Sequence, residues 1–190
     1  MGAVTGTATI VFTDMVGSTA LRSRLGEQAA DDLRREHDAM LGAVVDAHRG
    51  RVVKGAGDGI VASFDAASDA VAATVVMQQT VHALARRTRL GLSLRVGISA
   101  GDVSWEDGDC FGLPVVEAAR LESVADPGQI LCAEIVHHLC QGPTGSARGR
   151  SVELPIGGHR NCPLVANGSA QSSVGQWPHS FASGCLGEAD

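Results

Sequence analysis

Val52-Val-Lys-Gly-Ala-Gly-Asp-Gly-Ile-Val-Ala62 is two short apolar runs broken by Gly57-Asp58-Gly59. Asp-Gly between strand-like runs is the strongest short-range sign of a β-hairpin, so the spacing predicts a hairpin over residues 51–64. Upstream, Thr7-Ala-Thr-Ile-Val-Phe-Thr13 is β-branched and apolar and reads as a buried strand. It stops at Asp14-Met-Val-Gly-Ser-Thr19, where a helix begins. If the hairpin's second strand, Gly59 to Phe64, pairs antiparallel with this strand, its start lies beside the first strand's end. Asp14 and Asp58, 44 positions apart, then meet at one edge of the sheet.

Two carboxylates beside glycine-rich turns suit a divalent cation. Hard ions such as Mg²⁺ take oxygen ligands, usually one or two carboxylates plus substrate phosphates. Gly17-Ser18-Thr19 opens the next helix, and free N–H groups at a helix start can cradle phosphate. The same two aspartates also read as a helix cap and a turn residue. Local sequence leaves both readings open.

Composition narrows the class. The chain has 190 residues, 44% of them apolar and only 3% aromatic, so one domain with an aliphatic core, or one domain plus a tail, is expected. A net charge of −6 argues against a general nucleic-acid binder. No apolar run approaches the ~18 residues that span a bilayer, and no signal peptide opens the chain, so no membrane partner and a cytoplasmic location are expected. Five cysteines without a C-x-x-C pair read as reduced residues, not as a disulfide framework or zinc site. His137 and His138 are neighbours on a helix and face different ways.

Taken in order, the first strand is followed by a short helix from Gly17 to Arg24 and a longer one from Gln28 to His48. Ala30, Leu33, His37, Met40, Leu41, Val44 and Val45 make one face of the longer helix. After the hairpin, Asp65 is placed to cap a helix that runs to Arg87. Two strand-like runs follow around Gly101, then a turn at Glu106-Asp107-Gly108. Pro114 begins a helix; Gln129–Cys132 is a short strand, and Ala133–Cys140 a short helix. The expectation is an α+β fold with a ferredoxin-like βαββαβ core, an antiparallel sheet with helices on one face, and an extra C-terminal strand and helix. Residues 1–150 form the domain and 151–190 an irregular tail, with a hint of one strand at Ser151-Val-Glu-Leu-Pro-Ile156.

Four stretches in order carry a family resemblance: Phe12-Thr-Asp-Met-Val-Gly-Ser-Thr19, Lys54-Gly-Ala-Gly-Asp-Gly59, Arg95-Val-Gly-Ile-Ser-Ala-Gly101 and Asp109-Cys-Phe-Gly-Leu-Pro-Val-Val-Glu-Ala-Ala-Arg-Leu-Glu122. Over residues 7–140 the chain resembles the catalytic domain of class III nucleotidyl cyclases, in particular the small homodimeric bacterial adenylate cyclases. The resemblance implies conversion of ATP to cyclic AMP in a head-to-tail homodimer with active sites between the subunits. One subunit would supply Asp14 and Asp58, holding two Mg²⁺ or Mn²⁺ ions with the Met15 carbonyl as a further ligand. Gly17, Ser18 and Thr19 would lie at the phosphates. The partner would supply Lys54 and Asp109 to read the adenine ring. Lys54 is the one lysine against fourteen arginines, which favours a specific role. Arg120 matches the family's transition-state arginine; its bland alternative is a surface ion pair with Glu117 or Glu122. Arg95 matches a phosphate-contacting arginine and reads as well as a strand-end surface charge. The implied chemistry is in-line attack of the ribose 3′-oxygen on the α-phosphorus with loss of pyrophosphate.

Two departures stand out. The family usually carries an Asn four positions before the transition-state arginine, and here that position is Val116. The family also closes with a strand pair bearing a phosphate-contacting lysine, and no lysine follows Arg150. These departures leave room for a catalytically weak or inactive cyclase-like module that binds nucleotide or a partner subunit. A more distant alternative is another two-metal enzyme on a ferredoxin-like palm.

Overall fold

The computed structural model describes residues 4–140, 152–154 and 162–167. β1 (Val4–Val16) leads through α1 (Ser18–Leu25) and α2 (Glu27–Ala47) to the hairpin β2 (Arg51–Ala56) and β3 (Gly59–Phe64). α3 (Ala67–Thr88) crosses to β4 (Ser93–Glu106), which turns into β5 (Asp109–Phe111). α4 (Leu113–Val124), β6 (Ile130–Ala133) and α5 (Glu134–Cys140) follow, then β7 (Val152–Leu154) and β8 (Cys162–Asn167).

The sheet runs β2-β3-β1-β4-β6-β8-β7, with β5 pairing on β4. Each neighbouring pair among the first four strands is antiparallel, and their order is that of the expected βαββαβ core. β6 joins β4 in parallel, and β8 joins β6 in parallel, so the whole sheet is mixed.

Period-two alternation decides which side chains face which layer. Val11 and Met15 of β1, Ile60, Ala62 and Phe64 of β3, and Leu94, Val96 and Ile98 of β4 all point to one side. There they meet the inward stripe of α2 (Leu33, His37, Leu41, Val44, Val45), which matches the helix periodicity in the sequence. Met77 and Val81 of α3 and Val136 of α5 complete that aliphatic layer. Each fully buried side chain of this kind contributes roughly 1.5–3 kcal/mol. The crossover helices of the core therefore lie on one face, as the pattern indicates.

α4 is added on the opposite face. Its Ala118 packs with Ala8, Ile10, Val61 and Val103, and its Leu121 and Ala125 pack with Leu131 and Ala133 of β6. Gly97 permits this: a Cβ there would stand 2.1 Å from the Ala118 carbonyl oxygen.

Three local expectations are corrected. The two runs around Gly101 are one strand, because β1 pairs with β4 along its whole length, Gly101 opposite Ala8. The additional strand is Asp109–Phe111 instead. Asp65 makes no capping bond; α3 is capped at Ala66 without a side chain. Within 151–190, expected to be irregular, β7 and β8 extend the sheet edge. β7 falls on the hinted stretch, whereas β8 was hidden by Pro163 and by glycine-rich flanks. The rest of that segment lies outside the described residues.

Candidate active site

The β1–β3 ladder ends at Phe12 opposite Val61. Beyond it, side chain replaces backbone: the Ile60 N–H donates to Thr13 Oγ1 at 2.9 Å, and that hydroxyl donates to the Ile60 carbonyl at 3.3 Å. The Met15 N–H then donates to the Asp58 carbonyl at 3.3 Å. This close approach requires Gly59, where a Cβ would lie 1.8 Å from the Thr13 carbonyl oxygen. Gly57, at φ 64°, supplies the turn. The Gly-Asp-Gly motif thus brings the Asp58 backbone against the residue that follows Asp14. Asp14 does not cap α1, whose N-cap is Gly17 at φ 85°. Ser18 opens that helix and lines one small cleft with Met15 and Asp58. Thr19 is the second residue of the helix.

Asp14 shares the side of β1 that carries Ile10 and Phe12, the α4 side of the sheet. Its register partner on β4 is Arg95, and the two form an ion pair. Arg95 Nε also faces Glu122 Oε1 of α4 at 3.4 Å. The Asp14 carboxylate holds the Arg95 guanidinium above its ordinary pKa. Burial pushes the Glu122 carboxyl up, with Arg95 opposing and Asp14 adding to the effect. Arg95 is therefore no loose strand-end charge.

The second charged pair is Lys54 on β2 with Asp109 on β5, Nζ to Oδ2 at 2.6 Å. Lys54 is in register with Val61, a member of the α4-side core. Asp109 also accepts from the Cys110 N–H at 2.8 Å. Lys54, and then that N–H, hold its carboxyl below the usual range. Two residues 55 positions apart meet because β5 folds back along β4.

Arg120 lies on α4, where 100° per residue sorts the helix into two stripes. Pro114, Ala118 and Leu121 are buried against the sheet. Leu113, Val116, Arg120 and Val124 form the outward stripe and are exposed. Neither sequence-proposed partner takes Arg120. Glu117 accepts from Ser99 Oγ at 2.6 Å, and Glu122 faces Arg95. Val116 is 46% exposed on that stripe, and Glu117, turned to the sheet, does not replace an amide there.

Sequence reasoning gave no contact to Thr13 or Gly97, read Gly59 only as part of a turn, and offered Glu122 only as an alternative partner for Arg120. A threonine directly before Asp14 and glycines inside apolar strands were the available signals. The Arg95–Glu122 contact had none, because it depends on which face of the sheet α4 takes.

Asp14, Asp58 and the Met15 carbonyl would offer oxygen donors alone, which suits Mg²⁺ or Mn²⁺ over softer metals. Among the described residues no group of three His, Cys, Asp or Glu gathers to hold a metal. A cation here would complete its shell with phosphate and water. No helix among the described residues is long and apolar enough to cross a membrane.

Comparison with known proteins identifies the family. The profile of the family described as "Adenylate and Guanylate cyclase catalytic domain" matches residues 3–161. "Putative adenylate cyclase 3" of Rhizobium meliloti is 35% identical over 158 residues, covering 78% of this chain and 27% of that protein. "Adenylate cyclase" of Streptomyces coelicolor is 35% identical over 120 residues, 63% of this chain and 30% of that one. The chain thus spans about a quarter to a third of the length of these curated relatives. In fold, it superposes on the adenylyl cyclase CyaB from P. aeruginosa with a TM-score of 0.70 at 22% identity, covering 86% of this chain and 94% of that one. An adenylate/guanylate cyclase/hydrolase from Silicibacter pomeroyi gives 0.66 at 28% identity, covering 86% and 95%. The chain belongs to the class III adenylate and guanylate cyclase catalytic-domain family.

Proposed function

We propose that this domain is an adenylate cyclase that converts ATP to 3′,5′-cyclic AMP and pyrophosphate in a homodimer with shared active sites. The observation that carries this reading is the Lys54–Asp109 pair at 2.6 Å. It sets a donor and an acceptor side by side on the sheet face that also carries Asp14. Adenine offers a ring-nitrogen acceptor to the lysine and an exocyclic amine to the aspartate. Guanine offers a carbonyl in place of that amine, and a buried acceptor facing a carbonyl discriminates strongly. The names of the two curated relatives support the same substrate.

The outward stripe of α4 supports the shared site. Arg120 sits there with Leu113 at 75% exposed and Val124 at 66%, turned away from its own sheet. An arginine so placed is available to substrate held by a second copy, and an exposed apolar stripe is the material of an interface.

Asp14 and Asp58, with the Met15 carbonyl, would hold two divalent ions. Bound there, the ions would lower the pKa of the attacking hydroxyl and neutralise charge on the leaving group. The chain's own residues supply position and charge. Lys54 and Asp109 orient the base, and the N–H groups at Gly17, Ser18 and Thr19 with Arg95 receive phosphate oxygens. Arg120 faces charge developing at the α-phosphate as the bond to the 3′-oxygen forms and the bond to pyrophosphate breaks. The experiment is conversion of ATP, with GTP in parallel, in the presence of Mn²⁺. Cyclic AMP well above an Asp14→Ala control is expected, and no product above that control rejects the assignment.

Val116 favours a second reading, a weakly active or inactive cyclase-like nucleotide-binding module. An apolar, exposed side chain stands where the family usually places a hydrogen-bonding amide. This reading predicts ATP binding without turnover, and Val116→Asn raises the rate if the first reading holds.

A further inference from the structure

Arg95 is shared between two carboxylates that meet different nitrogens of its guanidinium. One end is paired with Asp14, and Nε faces Glu122 Oε1 at 3.4 Å. That Nε and that Oε1 are both buried, and neither completes a hydrogen bond. Buried polar atoms are normally satisfied, so this half-made contact needs a reason. Glu122 is fixed in place, since α4 lies directly on Gly97 and a Cβ at Gly97 would meet the Glu122 nitrogen at 2.4 Å. Meanwhile Asp14 has two claimants. A divalent cation and a guanidinium cannot both hold its carboxylate without strong mutual repulsion.

We propose that Glu122 is a positioning residue for the cation site: it takes up the Arg95 guanidinium when a divalent ion claims Asp14. The affinity for the ion is then set by Glu122, acting through Arg95. Arg95 has five donors in a rigid plane, so a small shift toward Glu122 completes the unmade bond as the Asp14 bond is given up. Cation entry exchanges one charge-assisted contact for another and leaves the half-buried guanidinium paired. This inference rests on the reading of Asp14 as a cation ligand.

The test is Mn²⁺ binding without nucleotide, followed by the electron paramagnetic resonance of free Mn²⁺. It compares the wild-type chain, Glu122→Gln, Arg95→Gln and the double variant, each first checked for cooperative thermal unfolding. Glu122→Gln is expected to weaken Mn²⁺ binding about threefold to tenfold, in the lower part of the coupling range for contacting residues. Arg95→Gln is expected to tighten it, and the double variant to bind like Arg95→Gln. Glu122→Asp, which keeps the charge, is expected to bind like wild type if Glu122→Gln fails to fold. Equal weakening by Glu122→Gln with and without Arg95 would mean simple long-range attraction and would overturn the inference. Asp14→Asn separates the two layers. If it leaves Mn²⁺ binding intact, the cation reading of Asp14 falls and the inference falls with it. If it abolishes binding while the Arg95–Glu122 cycle shows no coupling, the inference alone fails.

Discussion

The two faces of the sheet are built from different material. The face under α2, α3 and α5 is a continuous aliphatic layer in which Ile98, Leu94, Leu41 and Met77 are fully buried. The face under α4 has a smaller apolar cluster around Ala8, Ile10 and Val61. Around that cluster stand the charged pairs Asp14–Arg95 and Lys54–Asp109. Aliphatic packing is concentrated on one side and these charged pairs on the other, and the strands serve both because alternate residues face opposite ways.

The largest effect that would sharpen this contrast is on turnover. Asp14→Ala should reduce cyclic AMP formation by about 10³-fold, the scale for removing a central electrostatic group, measured at saturating ATP and Mn²⁺. Ile98→Ala, one strand over on the other face, should cost about 2–5 kcal/mol in denaturant unfolding and leave Mn²⁺ affinity of the folded protein unchanged. A folded Ile98→Ala that no longer binds Mn²⁺ would break the comparison. Gly59→Ala tests the point where the faces join. Its Cβ would meet the Thr13 carbonyl oxygen, so a loss of about 1–3 kcal/mol is expected, with weaker Mn²⁺ binding as the hairpin moves away from β1. Thr13→Val removes the acceptor for the Ile60 N–H and should cost about 1–3 kcal/mol.

The smallest expected effect is with pH. Lys54 holds the Asp109 carboxyl below its ordinary value. A carboxyl depressed by folding contributes above its unfolded pKa, and that contribution is lost as pH falls through the folded one. The Lys54–Asp109 pair should therefore persist from about pH 8 to pH 5. A carboxyl-carbon NMR signal for Asp109 that titrates inside that window would contradict the pairing.

Much of the fold was legible because its signals are local. Gly57-Asp58-Gly59 marks a hairpin by turn chemistry, and the stripe from Leu33 to Val45 marks a helix by period. Placing the Asp58 backbone beside the end of β1 needed just one further assumption, antiparallel pairing of β1 with β3. The remainder depended on long-range choices. Which face α4 covers follows from Gly97 in the middle of an apolar strand, and strand propensity alone treats that glycine as a weakness, not a contact. The Arg95–Glu122 contact follows from that choice in turn. β8 escaped because Pro163 and weak alternation disguise a strand whose parallel pairing to β6 comes from distant chain.

The central claim is that Asp14 of one copy and Lys54 of another build one site. It is tested most directly by mixing two dead variants, Asp14→Ala and Lys54→Ala. In a mixed dimer one site carries both substitutions and the other carries neither. Equal mixing should restore about a quarter of the wild-type rate of cyclic AMP formation, as random exchange in a two-fold dimer requires. A mixture as inactive as either variant alone, with exchange of subunits demonstrated, would contradict the account.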